Sequence, residues 1–99
     1  MKAEILSLEG KKVKSIDDVV DSNGSKPQFA NKFLRSIKGH PMKNVVEAIE
    51  KIGSGKGNEE FLKHEKRWTV RSGESSYRIF YDRNPDGTYI LTDYARQHR

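Results

Sequence analysis

The sequence predicts an α+β fold: two helices packed on one face of a small, mainly antiparallel sheet that ends in a three-stranded meander. Three observations predict it. Apolar residues recur at helical spacing through the middle of the chain, they alternate at period two after residue 67, and turn-forming clusters separate the two regimes.

From the N-terminus, residues 3–8 suit a short strand, and Glu9-Gly10-Lys11-Lys12 reads as a turn before Val13. Ser15 can cap a short helix running to Val20, with Asp17 and Asp18 in its first turn, where carboxylates complement the helix dipole. Asp21 to Pro27 is loop chemistry throughout. Phe29, Phe33, Leu34 and Ile37 then recur at helical spacing, and Gly39-His40-Pro41 ends that element. Met42, Val45, Val46, Ile49 and Ile52 form a second apolar stripe, the clearest helix in the chain, stopped by Gly53 to Asn58. Trp68 to Arg71 and Tyr77 to Tyr81 alternate as strands around a hairpin turn at residues 72–76. Asn84-Pro85-Asp86-Gly87 forms a second turn before a third strand over Tyr89 to Tyr94. Period-two alternation puts Tyr77, Ile79 and Tyr81 toward the helices, and Arg78 and Phe80 on the opposite, open face.

A chain of 99 residues builds one core, so residues 1–99 are expected to be a single domain whose first 25 or so residues extend it N-terminally. The absence of cysteine excludes disulfide scaffolds, thiol nucleophiles and cysteine-based zinc sites. No apolar run approaches the roughly 18 residues of a membrane span, and Ile5 to Leu8 is too soon followed by charge to act as a leader. A cytoplasmic protein without a membrane partner is the expectation. The formal net charge of +5 favours polyanionic partners. Between residues 63 and 83, Lys63, Lys66, Arg67, Arg71, Arg78 and Arg83 interleave with Trp68, Tyr77, Phe80 and Tyr81, a pattern suited to phosphate contact and base stacking.

Of the three histidines, His40 reads as a helix-boundary residue and His98 as a tail residue; the surroundings of His64 leave it open. No metal-ligand spacing is present, so neither a metal nor another cofactor is expected. The glycine-rich segment 53–57 follows a helix, whereas a phosphate-binding loop opens one.

Residues 55–64, Gly-Lys-Gly-Asn-Glu-Glu-Phe-Leu-Lys-His, resemble the Gly-Lys-Gly…Glu-x-Leu-Lys-His segment of YoeB-type toxins in the RelE/ParE superfamily. The resemblance continues through Trp68 and Arg71 to Tyr77-Arg78-Ile79-Phe80-Tyr81, similar to that family's His/Tyr-Arg-Leu-Val-Tyr strand. It ends at Tyr94-Ala95-Arg96-Gln97-His98-Arg99, similar to a closing Arg-Tyr-His-Tyr, and covers roughly residues 27–99. It implies a compact RelE-like endoribonuclease toxin that needs no metal, acts on messenger RNA at the ribosome and is neutralised by an antitoxin. The family's functional residues carry over to Glu60, Arg78 and His98. Arg99 departs from the family's final Tyr, and Glu59 beside Glu60 leaves open which carboxylate enters the site.

Those residue types fit RNA cleavage by attack of the 2′-hydroxyl on its neighbouring phosphate. Glu60 would accept the hydroxyl proton, His98 would protonate the departing 5′-oxygen, and Arg78 would hold the non-bridging oxygens as charge builds on phosphorus. Lys63, Arg67, Arg71 and Arg96 would position the RNA backbone, and Phe80 or Tyr94 would stack a base. Three other readings compete. A nuclease domain delivered into rival bacteria, acting on transfer or other RNA and held by an immunity protein, has a related fold; residues 76–81 and 89–94 look somewhat like the last strands of barnase. In that alignment Tyr94 takes the acid's place. A ParE-like gyrase-binding toxin would lack the acid–base pair. The opening residues 5–18 also resemble barstar-like ribonuclease inhibitors, although those tend to be acidic.

Overall fold

A computed structural model describes residues 5–6, 12–13, 16–54 and 59–96. Strands β1 (Ile5–Leu6) and β2 (Lys12–Val13) pair antiparallel, Ile5 opposite Val13. A 3₁₀ turn over Ile16–Asp18 replaces the expected longer helix; its proposed cap, Ser15, lies outside the described residues. Then come β3 (Gln28–Phe29), α1 (Asn31–Ser36), α2 (Met42–Glu50), β4 (Glu59–Leu62), β5 (Arg67–Arg71), β6 (Tyr77–Arg83) and β7 (Tyr89–Arg96). The larger sheet has five strands in the order β3-β7-β6-β5-β4, antiparallel except for the parallel β3–β7 pair. The fold is α+β with a mixed sheet. Among the described residues, no helix is long and apolar enough to cross a membrane.

Two differences from the sequence reading have local causes. Phe29 was expected in the first helix, but it pairs with Leu91 in β3, and the helix begins only at Asn31. Its spacing to Phe33 still brings the two rings together, 5.7 Å between centroids, so the apolar pattern reports a contact that crosses an element boundary. Strand β4 has no counterpart among the elements expected from the sequence. Glu-Glu-Phe-Leu has no period-two alternation, and its extended form comes from pairing with β5, where Glu60 faces Thr69 and Phe61 faces Trp68.

Both hairpin turns form where turn residues cluster. Between β6 and β7, Asn84 donates its backbone N–H to the Thr88 carbonyl at 2.7 Å, and Gly87 takes φ +90°, a conformation that suits glycine. The register of β6 and β7 slips between Phe80 and Tyr81, so Phe80 faces Asp93 while Tyr81 faces Leu91. Thr92 is the extra residue of a bulge. This slip puts Tyr89, Leu91 and Tyr94 all on one side of the sheet.

That side is the apolar face. Val70, Ile79, Tyr81, Tyr89, Leu91 and Tyr94 join Phe33 and Ile37 of the α1 segment and Val45, Val46, Ala48 and Ile49 of α2 in one buried cluster. Each such side chain contributes roughly 1.5–3 kcal/mol of burial, which makes this cluster the main source of the fold's stability. Alternation then sends Arg67, Thr69 and Arg71 of β5, Arg78, Phe80 and Asp82 of β6, and Glu60 of β4 to the reverse, polar face.

Candidate functional site

The centre of the polar face is Arg78. Its Nη2 lies 3.3 Å from the Glu60 carboxylate, and its Nη1 donates to the Thr69 hydroxyl at 2.9 Å. The three residues stand on adjoining strands, with Glu60 opposite Thr69 and Arg78 two residues before Phe80, which faces Thr69 from the other side. Only 11% of the Arg78 side chain is exposed, against 54% for Glu60. A guanidinium held this way keeps its orientation, while the carboxylate beside it remains open to solvent. With one partner so exposed, the ion pair adds at most about 1 kcal/mol to stability.

Alternation resolves the choice between neighbouring carboxylates. Glu59 sits on the other side of β4 and is only 8% exposed; it accepts the Gly53 backbone N–H at 2.8 Å and the Arg83 guanidinium at 2.8 Å. The Tyr81 hydroxyl donates to it as well. Burial pushes the Tyr81 hydroxyl far above its ordinary pKa, and the adjacent Glu59 charge adds to the effect, so this phenol stays a donor. Gly53 takes φ +89°, a conformation that suits glycine, and a Cβ there would lie 2.6 Å from Asn23 Nδ2. Glu59 is a structural hub, and Glu60 is the carboxylate presented beside Arg78.

Arg67 occupies the same polar face. Its Nη2 and Nη1 donate to the Asp93 carboxylate at 3.0 and 3.4 Å, its Nε is 3.8 Å from Asp82, and its guanidinium lies over the Phe80 ring, 5.1 Å from the centroid. Asp93 also has Lys32 at 3.9 Å. Lys63 and Arg71 are exposed, Arg71 directly opposite Arg78 in the strand register.

The two rings expected to stack a base are both covered. Phe80 faces the polar side as expected but is only 5% exposed beneath Arg67, so its ring offers no surface to a base. Tyr94 is 2% exposed on the apolar face, stacked on Tyr77 at 5.1 Å, with its hydroxyl 2.8 Å from Ser72 Oγ and 2.7 Å from Glu74. The bulge at Thr92 and the Ser36 hydroxyl, which accepts the Tyr94 backbone N–H at 2.9 Å, lock it there. Arg96 is exposed, with its guanidinium over the Tyr77 ring at 5.4 Å. His98, the expected acid, lies outside the described residues. Strand β7 passes beside the site, where Ala95 pairs with Arg78.

Sequence reasoning missed the network at the other end of β6. His40, read as a helix-boundary residue, places Nδ1 3.1 and 3.2 Å from the two Glu74 oxygens, with its ring 4.7 Å from Tyr77 and 5.1 Å from Tyr94. The Tyr94 hydroxyl is the main influence holding the Glu74 carboxyl below its ordinary value, and His40 adds to it. Glu74 lies in the 72–76 turn and His40 in the α1–α2 connection, so no linear motif links them. A cleft of about 480 Å³ near the β6–β7 turn is lined by Asp21, Lys26, Glu59, Arg83, Thr88 and Tyr89, among others. It contains Glu59 and not Glu60, and Asp21 there already accepts the Tyr89 hydroxyl at 2.6 Å. Comparison with known proteins returned no match: no family model, curated protein or solved structure matches this chain.

Proposed function

We propose that the chain is an endoribonuclease toxin of the RelE/YoeB type, cleaving RNA on the polar sheet face by 2′-hydroxyl attack without a metal. The observation that carries this reading is the juxtaposition of an exposed Glu60 carboxylate with a fixed Arg78 guanidinium, 3.3 Å apart. In a substrate complex, a phosphodiester takes Glu60's place on Arg78, whose donors match two non-bridging oxygens. Glu60, displaced by one hydrogen-bond length, then accepts the proton of the 2′-hydroxyl as that oxygen forms its bond to phosphorus. Arg78 stabilises the charge on the phosphorane oxygens. The 5′-oxygen leaves with a proton from His98, giving a 2′,3′-cyclic phosphate and a free 5′-hydroxyl. Lys63 and Arg71 contribute positive charge along the path of the RNA backbone.

On this reading the sheet order and the two helices correspond to a RelE-like scaffold, the natural substrate is messenger RNA on the ribosome, and a cognate antitoxin or immunity protein keeps the enzyme silent in the cytoplasm. Incubating the purified protein, with and without ribosomes, with end-labelled RNA tests it. Fragments ending in 2′,3′-cyclic phosphate support the reading, as does resistance of an RNA carrying a single 2′-deoxy sugar at the cleaved position. Intact RNA in both settings, or cleavage unaffected by Glu60→Gln and Arg78→Ala, rejects it.

A further inference from the structure

We infer that Arg67 is a stacking platform for a nucleobase, a role that deepens the nuclease reading and rests on it. Three features of its surroundings lead there. The edge of the guanidinium is already engaged: Asp93 takes donors from Nη1 and Nη2 at 3.4 and 3.0 Å, and Asp82 lies 3.8 Å from Nε. Two carboxylates around Arg67, Asp93 with Lys32 3.9 Å away, offset its attraction for phosphate. What remains is the flat face. One side of the guanidinium lies over the Phe80 ring, while 23% of the side chain stays exposed. Guanidinium planes stack on bases as aromatic rings do, and an Arg fixed at its edge and backed by a ring gives up little freedom on stacking.

Position supplies the third feature. Arg67 is two residues before Thr69, whose hydroxyl holds Arg78, and both project from the same face of β5. Arg78 stands opposite Arg71 and reaches back to the Thr69 hydroxyl, two residues or about 7 Å of strand from Arg67, so a phosphate on Arg78 and a base on Arg67 belong to the same or neighbouring nucleotides. The base is recognised by its face and not by its hydrogen-bonding edge. Any base therefore serves at this subsite, and an absent base does not.

The test measures fluorescence-anisotropy binding of the full chain to a labelled heptanucleotide with 2′-deoxy sugars, which resists 2′-hydroxyl cleavage. It uses the intact oligonucleotide and a series with one abasic position each. For the wild type, one abasic position is expected to weaken binding about tenfold, with little dependence on which base it replaces. Arg67→Lys keeps the charge and removes the plane. It is expected to weaken binding of the intact oligonucleotide about tenfold and to bind that abasic form as the wild type does. Phe80→Leu leaves Arg67 in place without its backing ring and is expected to shift binding in the same direction. If both variants keep the wild-type tenfold discrimination, the platform is overturned while the RNA surface stands. If the wild type binds no oligonucleotide, or binds intact and abasic forms alike, the platform is overturned, and the nuclease reading is decided separately by the cleavage test with ribosomes.

Discussion

Residues 59 and 60 are both glutamate, one strand step apart, yet they live in different worlds. On the apolar side Glu59 is enclosed by Tyr81, Arg83 and the Gly53 backbone, and its acceptor capacity is spent on the protein. On the polar side Glu60 meets one guanidinium and water. The same contrast holds for the two faces as a whole. The apolar face spends its polar groups on internal bonds, as in the Ser72–Tyr94–Glu74–His40 chain, whereas the polar face holds cations in fixed positions beside an accessible acid. A residue type says what chemistry is available; the face decides whether it stabilises the fold or meets a substrate.

The largest expected effects break the comparison on the polar face. Glu60→Gln, Arg78→Ala and His98→Gln should each reduce single-turnover RNA cleavage at least about a hundredfold. For Glu60→Gln, the midpoint of urea unfolding should hardly move, because the ion pair it removes is half exposed. The mirror experiment is Glu59→Gln. It should cost about 1–3 kcal/mol in urea unfolding, since a buried acceptor of several donors loses its charge, while cleavage by the folded fraction persists. Loss of cleavage with unchanged stability in Glu59→Gln would exchange the roles of the two residues.

Smaller effects sharpen the apolar side. Tyr94→Phe removes the hydroxyl shared by Ser72 and Glu74 and should cost about 0.5–1.5 kcal/mol, read from the same unfolding curves. The smallest is an acid-limb effect. The Glu74 carboxyl is held below its ordinary value in the folded chain, so the folded state binds its proton less readily than the unfolded state does. Its stabilising contribution is complete above the ordinary carboxylate range and disappears as pH falls through the lowered value. Tyr94→Phe should flatten that part of the stability–pH curve, because the Tyr94 hydroxyl is the leading cause of the shift. An unchanged acid limb in the variant would assign it to other carboxylates.

Much of this architecture was legible in the order of residues. Helical spacing marked α2, alternation marked β5 and β6, and Asn-Pro-Asp-Gly marked the last turn, because each depends on neighbours within a few positions. The same alternation put Arg78 on the polar face. Strand β4 was hidden because its conformation is imposed by β5, and the parallel β3–β7 pair because it joins residues more than sixty positions apart. Tyr94 escaped for a related reason: a single bulge at Thr92 reverses which face follows, and nothing local announces it. His40 and Glu74 meet only because two connections fold toward one another.

By itself, the sequence determined which groups are present and how each short segment would fold, since propensity and periodicity act over a turn or a strand. Tertiary structure alone decided which carboxylate is consumed and which is presented, which aromatic ring is covered and which arginine is held. Those outcomes depend on strand register and on burial, and both arise from contacts between residues that the chain keeps far apart.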